Sequence, residues 1–145
     1  MIISSPSVIE GACYKDERGE LRYNNSFDAS QVKRLYLIQN SDSNPVRGWQ
    51  GHKIEQRWFI AVNGAFEIST IQVDDWDSPS VNLSAQKFIL GQESFNVLHV
   101  PAGYITAIRS LVAGSTLLVM SDHLLGETKD EYRFPLNYFT VNSSK

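Results

Sequence analysis

Pro45-Val-Arg-Gly-Trp-Gln-Gly-His-Lys-Ile-Glu-Gln-Arg-Trp58 runs directly into Phe59-Ile-Ala-Val-Asn-Gly-Ala-Phe-Glu-Ile68. The first stretch gathers two tryptophans, three cations and the first histidine of the chain; the second is apolar and strand-like. Charged and amide groups beside a buried sheet are unfavourable unless each has a partner or a task. The fold and the function of the protein both turn on what this crowding of polar groups is for.

Outward from this stretch, short apolar runs rich in Val, Ile, Phe and Tyr recur between turn signals. These are Glu17-Arg-Gly-Glu20, Asn24-Asn-Ser26, Ser41-Asp-Ser-Asn-Pro45, Asp77-Ser-Pro79 and Pro101-Ala-Gly103. The spacing predicts an all-β chain with strands near residues 32–38, 56–62, 65–73, 85–90, 96–100, 105–111 and 115–121. Asn63-Gly64 is the pair that favours a tight hairpin turn. Only residues 122–133, ending before Phe134-Pro135, suit a short helix. A sandwich or jelly-roll barrel is the expected architecture, with no repeat or linker and with residues 141–145 fraying.

At 145 residues and 42% hydrophobic, the chain is long enough for one sizeable core, and a single domain over 1–145 is expected. A net charge of -3 offers no basic field, which argues against nucleic acid as a partner. The lone Cys13 forms no internal disulfide and has no neighbouring base or cation to mark it as a nucleophile. Met1-Ile-Ile-Ser-Ser-Pro has neither the basic nor the long apolar region of a signal peptide, so the cytoplasm is the expected compartment. No window approaches the roughly 20 apolar residues of a membrane span, so no membrane association is expected.

Four segments occur in order: Tyr14-Lys-Asp-Glu-Arg-Gly-Glu-Leu21, Val32-Lys-Arg-Leu-Tyr-Leu-Ile-Gln-Asn40, Val46-Arg-Gly-Trp-Gln-Gly-His-Lys-Ile-Glu-Gln56 and His99-Val-Pro-Ala-Gly103. Together they resemble the RmlC-like cupins that act on nucleotide-linked keto sugars, over most of the chain. The similarity is greatest to the dTDP-sugar 3,4-ketoisomerases, whose corresponding segment reads Arg-Gly-x-His-Ala-His-Lys, and less to the dTDP-4-dehydrorhamnose 3,5-epimerases. The resemblance implies a cupin jelly-roll barrel, a nucleotide-linked keto sugar as ligand, no cofactor, and a homodimer.

Fold alone does not give function, so the resemblance is carried over one residue at a time. In the general cupin metal pattern the two histidine positions fall on Gln50 and His52, the glutamate position near Gln56 or Arg57, and the last histidine on Thr106. One imidazole and neutral amides do not supply the donors that Zn²⁺ or Fe²⁺ requires, and no metal is expected. The carbon-acid base of the epimerases falls on Gln50, and their acidic tyrosine around Val119 or Met120. An amide cannot take a proton from carbon, which disfavours double epimerisation.

His52 matches the second histidine of the ketoisomerase motif and is the candidate base for moving a keto group through an enediol. Arg47 and Tyr36 are the candidate donors to the enediolate. Gln50 is placed against a sugar hydroxyl or carbonyl, Trp49 as a stacking surface, and Arg57 and Arg133 on the diphosphate.

Plainer readings stand beside these. His99 reads as a satisfied strand histidine, His123 as solvated and Trp58 as core. For Arg47 the plainer reading is a tether for the preceding loop, second to a role in the pocket, and for Tyr36 core packing stands level with pocket lining. Asp74-Asp-Trp-Asp77 lacks calcium-loop spacing and reads as a solvated loop. Two functions follow: a metal-independent isomerase of a nucleotide-linked 4-keto-6-deoxy sugar, or a module that keeps the pocket without the chemistry; a 3,5-epimerase stands third. On either of the first two, the stretch from Pro45 to Trp58 is one wall of a ligand pocket at the mouth of the barrel.

Overall fold

The structure, a computed structural model, describes residues 5–42 and 45–140. Twelve strands and no helix occur among them. In order these are β1 (Ser7–Ile9), β2 (Ala12–Asp16), β3 (Gly19–Tyr23), β4 (Arg34–Gln39), β5 (Val46–His52), β6 (Arg57–Asn63), β7 (Ala65–Gln72), β8 (Ala85–Gly91), β9 (Val97–Val100), β10 (Tyr104–Ser110), β11 (Thr116–Ser121) and β12 (Glu131–Arg133). β2 and β3 form a separate hairpin. The others make two antiparallel five-stranded sheets, β1-β9-β6-β11-β4 and β12-β5-β10-β7-β8. This is the jelly-roll architecture expected from the sequence.

The apolar runs become strands because their two faces are both in use. β6 is buried at Arg57 through Ala61 without alternation, since it lies between β9 and β11 with a core on either side. Between the sheets, Phe59, Phe66, Ile68, Leu90, Leu98, Leu117 and Val119 form the main core. Outside the first sheet, Trp58, Ile60, Val97 and Met120 form a second cluster. Outside the other sheet, Trp49, Ile71, Val73 and Ile105 are covered by Phe139 and the segment leading to it.

Three expectations need correction. Asn63-Gly64 does not close a hairpin, because β6 and β7 belong to different sheets and do not pair. Gly64 has the positive φ of +73° that the pair favours, but a Cβ there would lie 2.0 Å from Ser115 Oγ, and the turn passes the chain from one sheet to the other. Residues 122–133 hold no helix; they run through turns into β12, which adds to the edge of β5. β5 itself was not expected as a strand, since Gly48 and Gly51 interrupt its apolar pattern. The expectation for residues 141–145 lies outside the described residues. Among the described residues, no helix is long and apolar enough to cross a membrane.

Gly51 lets β5 lie close against β10. A Cβ at this position would meet Tyr104 O at 2.2 Å and Ile105 Cα at 2.5 Å, both backbone atoms. Gly51→Ala is therefore expected to destabilise the fold by about 2 to 3 kcal/mol in urea denaturation, by prising apart the strand pair that carries His52.

Candidate active site

The main core fills only part of the barrel; toward β4, β5 and β12 the space between the sheets is a cavity of about 1210 Å³. The ladder registers determine what faces it. Across β10, β5 and β12, Tyr104, His52 and Glu131 are direct partners, and Thr106, Gln50 and Arg133 form the next row. On the opposite sheet, Arg34, Ser121 and Arg57 align across β4, β11 and β6, with Tyr36, Val119 and Phe59 in the row beneath. Two polar rows thus face one another over an apolar floor.

A hydrogen bond joins them. Arg57 Nη2 lies 2.9 Å from His52 Nε2, while Arg57 Nη1 reaches Glu55 Oε1 at 2.6 Å and Ser121 Oγ at 2.7 Å. A guanidinium only donates, so Nε2 must accept. In the neutral ring Nδ1 then carries the proton and donates it to the carbonyl oxygen of Asp130, 3.1 Å away. The contacts of both nitrogens select one tautomer of His52.

Electrostatics supports the neutral form. Burial pushes the His52 imidazole below its ordinary value, and the charge of Arg57 adds to this, outweighing the opposing pull of Glu55 and Asp130. For Glu55, burial acts to raise the pKa. Hydrogen bonds from Thr128 and Arg57, the charge of Arg57 and a hydrogen bond from Ser121 overcome that and lower it to about 2. Glu55 is thus a permanent carboxylate holding Arg57 in place.

Asp130 organises the turn between β5 and β6. Its carboxylate, 3% exposed as a residue, accepts hydrogen bonds from the backbone N–H groups of Lys53, Ile54 and Glu55 at 2.9, 2.8 and 2.8 Å. This wraps the chain around one buried charge and positions His52 on one side and Glu55 on the other. Donor atoms of His52, Glu55 and Asp130 approach within 4.8 Å of one another, a metal-like grouping. They do not suit a metal ion: the guanidinium of Arg57 already binds two of the three residues, and backbone N–H groups engage the carboxylate of the third.

The model of the family described as FdtA, WxcM-like C-terminal, matches residues 4–141. The chain belongs to that family. Its fold is similar to a histidine-to-asparagine variant of the 3,4-ketoisomerase QdtA from Thermoanaerobacterium thermosaccharolyticum in complex with TDP-4-keto-6-deoxyglucose, with a TM-score of 0.69 and 22% identity over 92% of this chain and 90% of that one. The WlaRB TDP-quinovose 3,4-ketoisomerase from Campylobacter jejuni matches with a TM-score of 0.68 and 20% identity, over 91% of this chain and 95% of that one. The dTDP-4-dehydrorhamnose 3,5-epimerase from Bacillus anthracis str. Ames, with TDP and PPi bound, reaches 0.74 at 14% identity, over 95% and 86%. At these identities the likeness is one of fold. No curated protein sequence matches the chain.

Within this family fold, His52, Tyr36, Arg47, Gln50 and Arg133 all line the cavity. Gln50 donates through Nε2 to Glu131 Oε2 at 3.0 Å, and Arg133 Nε donates to the same oxygen at 2.6 Å. Arg47 donates to Asn40 Oδ1 at 3.0 Å, so it anchors the start of the loop after β4 while lining the pocket. Tyr36 likewise combines both readings: it packs against the main core, and the Arg34 guanidinium lies over its ring at 5.2 Å.

Two placements differ from expectation. Arg57 is 7% exposed and bound to Glu55, Ser121 and His52, so it does not reach out to grip a diphosphate. Trp49 contributes to the cavity wall, but its ring is buried edge-on against Phe139 at 5.7 Å on the outer side of the sheet, which removes it as a stacking surface. His99, read as a strand histidine, stacks on Trp58 at 5.2 Å and bonds Gln56 Oε1 at 2.7 Å.

Sequence reasoning missed Arg34, Glu55, Tyr104, Asp130 and Glu131. For Arg34 a signal existed, since it stands two residues from Tyr36 on one strand and must share its face. Asp130 had none, because its partners are backbone groups some 75 positions away in the chain.

Acid is expected to weaken this site in two stages. Both groups have lower pKa values folded than unfolded, so unfolding takes up protons as pH falls. The contribution of His52 is lost below its ordinary value of 6.5, and that of Glu55 from about 4.5 down to about 2. Glu55→Gln should cost about 3 kcal/mol at pH 7 by leaving Arg57 without its counter-charge. Urea denaturation of this variant should also lack the lower stage, whereas an unchanged acid profile would contradict the role given to Glu55.

Proposed function

We propose that this protein is a metal-independent isomerase of a nucleotide-linked 4-keto-6-deoxy sugar, with dTDP as the nucleotide, serving deoxy- or amino-sugar synthesis for a surface polysaccharide. The observation that carries this reading is a neutral, tautomer-defined imidazole in the wall of a cation-rich cavity. Arg34, Arg47, Arg57, Lys129 and Arg133 line it against three carboxylates, in a chain whose net charge is -3. Such a lining suits an anionic ligand, and the imidazole suits a carbon acid. Membership of the FdtA, WxcM-like C-terminal family, and neighbours of the same fold that act on TDP-linked sugars, support the same substrate class.

The reaction balances without a co-reactant. His52 takes the proton from C3, and the electron pair of that bond forms the C3–C4 double bond as charge moves to O4. The hydroxyl proton on O3 passes to O4, and His52 returns its proton to C4 as the carbonyl forms at C3. In this reading Arg47, Lys129 and Arg133, which line the cavity, take the diphosphate, and Gln50 and Tyr36 take the sugar. The exposed Leu35 and Leu37 on the outer face of the edge strand β4 support the homodimer that the resemblance implies.

A second reading, a binding module without turnover, is favoured by one feature: Gln50 stands where a motif histidine is expected and cannot titrate. Proton NMR with dTDP-4-keto-6-deoxyglucose in D₂O separates the two. The isomerase reading predicts deuterium at C3 or C4 and a 3-keto product. It also predicts that His52→Asn lowers the rate by at least 10²-fold while TDP binding persists. Saturable binding with no deuterium uptake would favour the module, and uptake at C3 and C5 would favour an epimerase.

A further inference from the structure

The bond between the two sheets poses a chemical problem for the proposed base. Nδ1 of His52 carries a proton and donates it to Asp130, so only Nε2 has a lone pair, and that lone pair is held by Arg57 Nη2 at 2.9 Å. A base cannot accept a carbon-bound proton through a nitrogen that is already accepting a hydrogen bond. Arg57 must release Nε2 before the proton moves.

The geometry shows which end of the guanidinium is free to do so. Nη1 is bound to Glu55 Oε1 at 2.6 Å and Ser121 Oγ at 2.7 Å, both buried, and it also faces the Gln56 carbonyl at 3.3 Å. Nη2 points to His52 Nε2. A small rotation about the Nη1 anchor moves Nη2 off the imidazole without disturbing the pair with Glu55.

We infer that Arg57 is a catalytic residue whose Nη2–H passes from His52 Nε2 to the keto oxygen of the substrate, so that freeing the base and assembling the oxyanion donor are a single movement. This rests on the isomerase reading above and deepens it. The carbonyl oxygen at C4 gains negative charge as the C3–H bond breaks, and a charged donor that is itself buried is worth most at that moment. No bond to Arg57 forms or breaks. Glu55 and Ser121 are then positioning residues, holding one end of the guanidinium while the other moves.

This role differs measurably from a grip on the diphosphate. Loss of a single oxyanion donor costs about 10²–10³-fold in kcat. Arg57→Gln should therefore slow C3 deuterium exchange by about that factor while leaving the Kd for TDP within about twofold. Arg57→Lys retains a charge against Glu55, yet one ammonium cannot span Glu55 and the substrate in the fork geometry of the guanidinium. It should show the same kcat loss with KM nearly unchanged. In Arg57→Gln the acid limb of kcat/KM must also move.

For Arg57→Gln that limb should rise to higher pH, because the guanidinium is one of the groups holding the His52 proton affinity down. A measurement on the wild-type protein stands apart from variant folding. The ¹⁵N resonances of the Arg57 guanidinium should shift on saturation with dTDP-4-keto-6-deoxyglucose and stay in place with TDP alone. Equal shifts with TDP alone, or exchange within threefold of wild type in Arg57→Gln, would overturn the inference and leave the isomerase reading intact. Absence of exchange in the wild type would overturn both.

Discussion

One hydrogen bond between the sheets, from Arg57 Nη2 to His52 Nε2, organises the interior of this barrel. β6 contributes the cation and β5 the imidazole, and the two strands belong to different sheets. A buried guanidinium would be costly alone; Glu55, Ser121 and His52 together satisfy it. Burial, with its charge added, keeps His52 neutral, and its lack of lone pairs forces the tautomer. Packing, protonation and reactivity at this end of the cavity therefore share one cause.

Asp130 makes the arrangement rigid. Three consecutive backbone N–H groups close on its carboxylate, so the turn from Lys53 to Glu55 has little freedom to move His52 relative to Glu55. The Asp130 carbonyl accepts the hydrogen bond from His52 Nδ1–H, so a single residue defines both the turn and the ring orientation. The grouping of His52, Glu55 and Asp130 has the outline of a metal site, but a side-chain cation is hydrogen-bonded to two of its three members. A guanidinium supplies positive charge and directed donors without the exchange chemistry of a bound metal.

Much of this was legible in the sequence, and the reasons differ by element. The central strands declare themselves through unbroken Val, Ile and Phe runs, because both of their faces meet a core. β5 hides because its inward face is polar and two glycines thin its pattern, the same features that make it the wall of the site. β12 hides because its three residues are held by pairing with β5 rather than by burial of their own. Asn63-Gly64 carries the local signal of a tight turn, yet local conformation says nothing about which strands then pair. His52, Gln50, Tyr36 and Arg47 could be drawn from the motif alone, and all line the cavity. The inward turn of Arg57 and the outward turn of Trp49 depend on the register of β6 and β5 against their neighbours, which no short motif encodes.

The state of His52 in the ligand-free protein tests this account most directly. Long-range ¹H–¹⁵N correlation at pH 7 should show a neutral ring with the proton on Nδ1 and a pyridine-type Nε2, remaining neutral below the pH at which an exposed histidine charges. A proton on Nε2, or an imidazolium at neutral pH, would contradict the bridge from Arg57 and the account built on it.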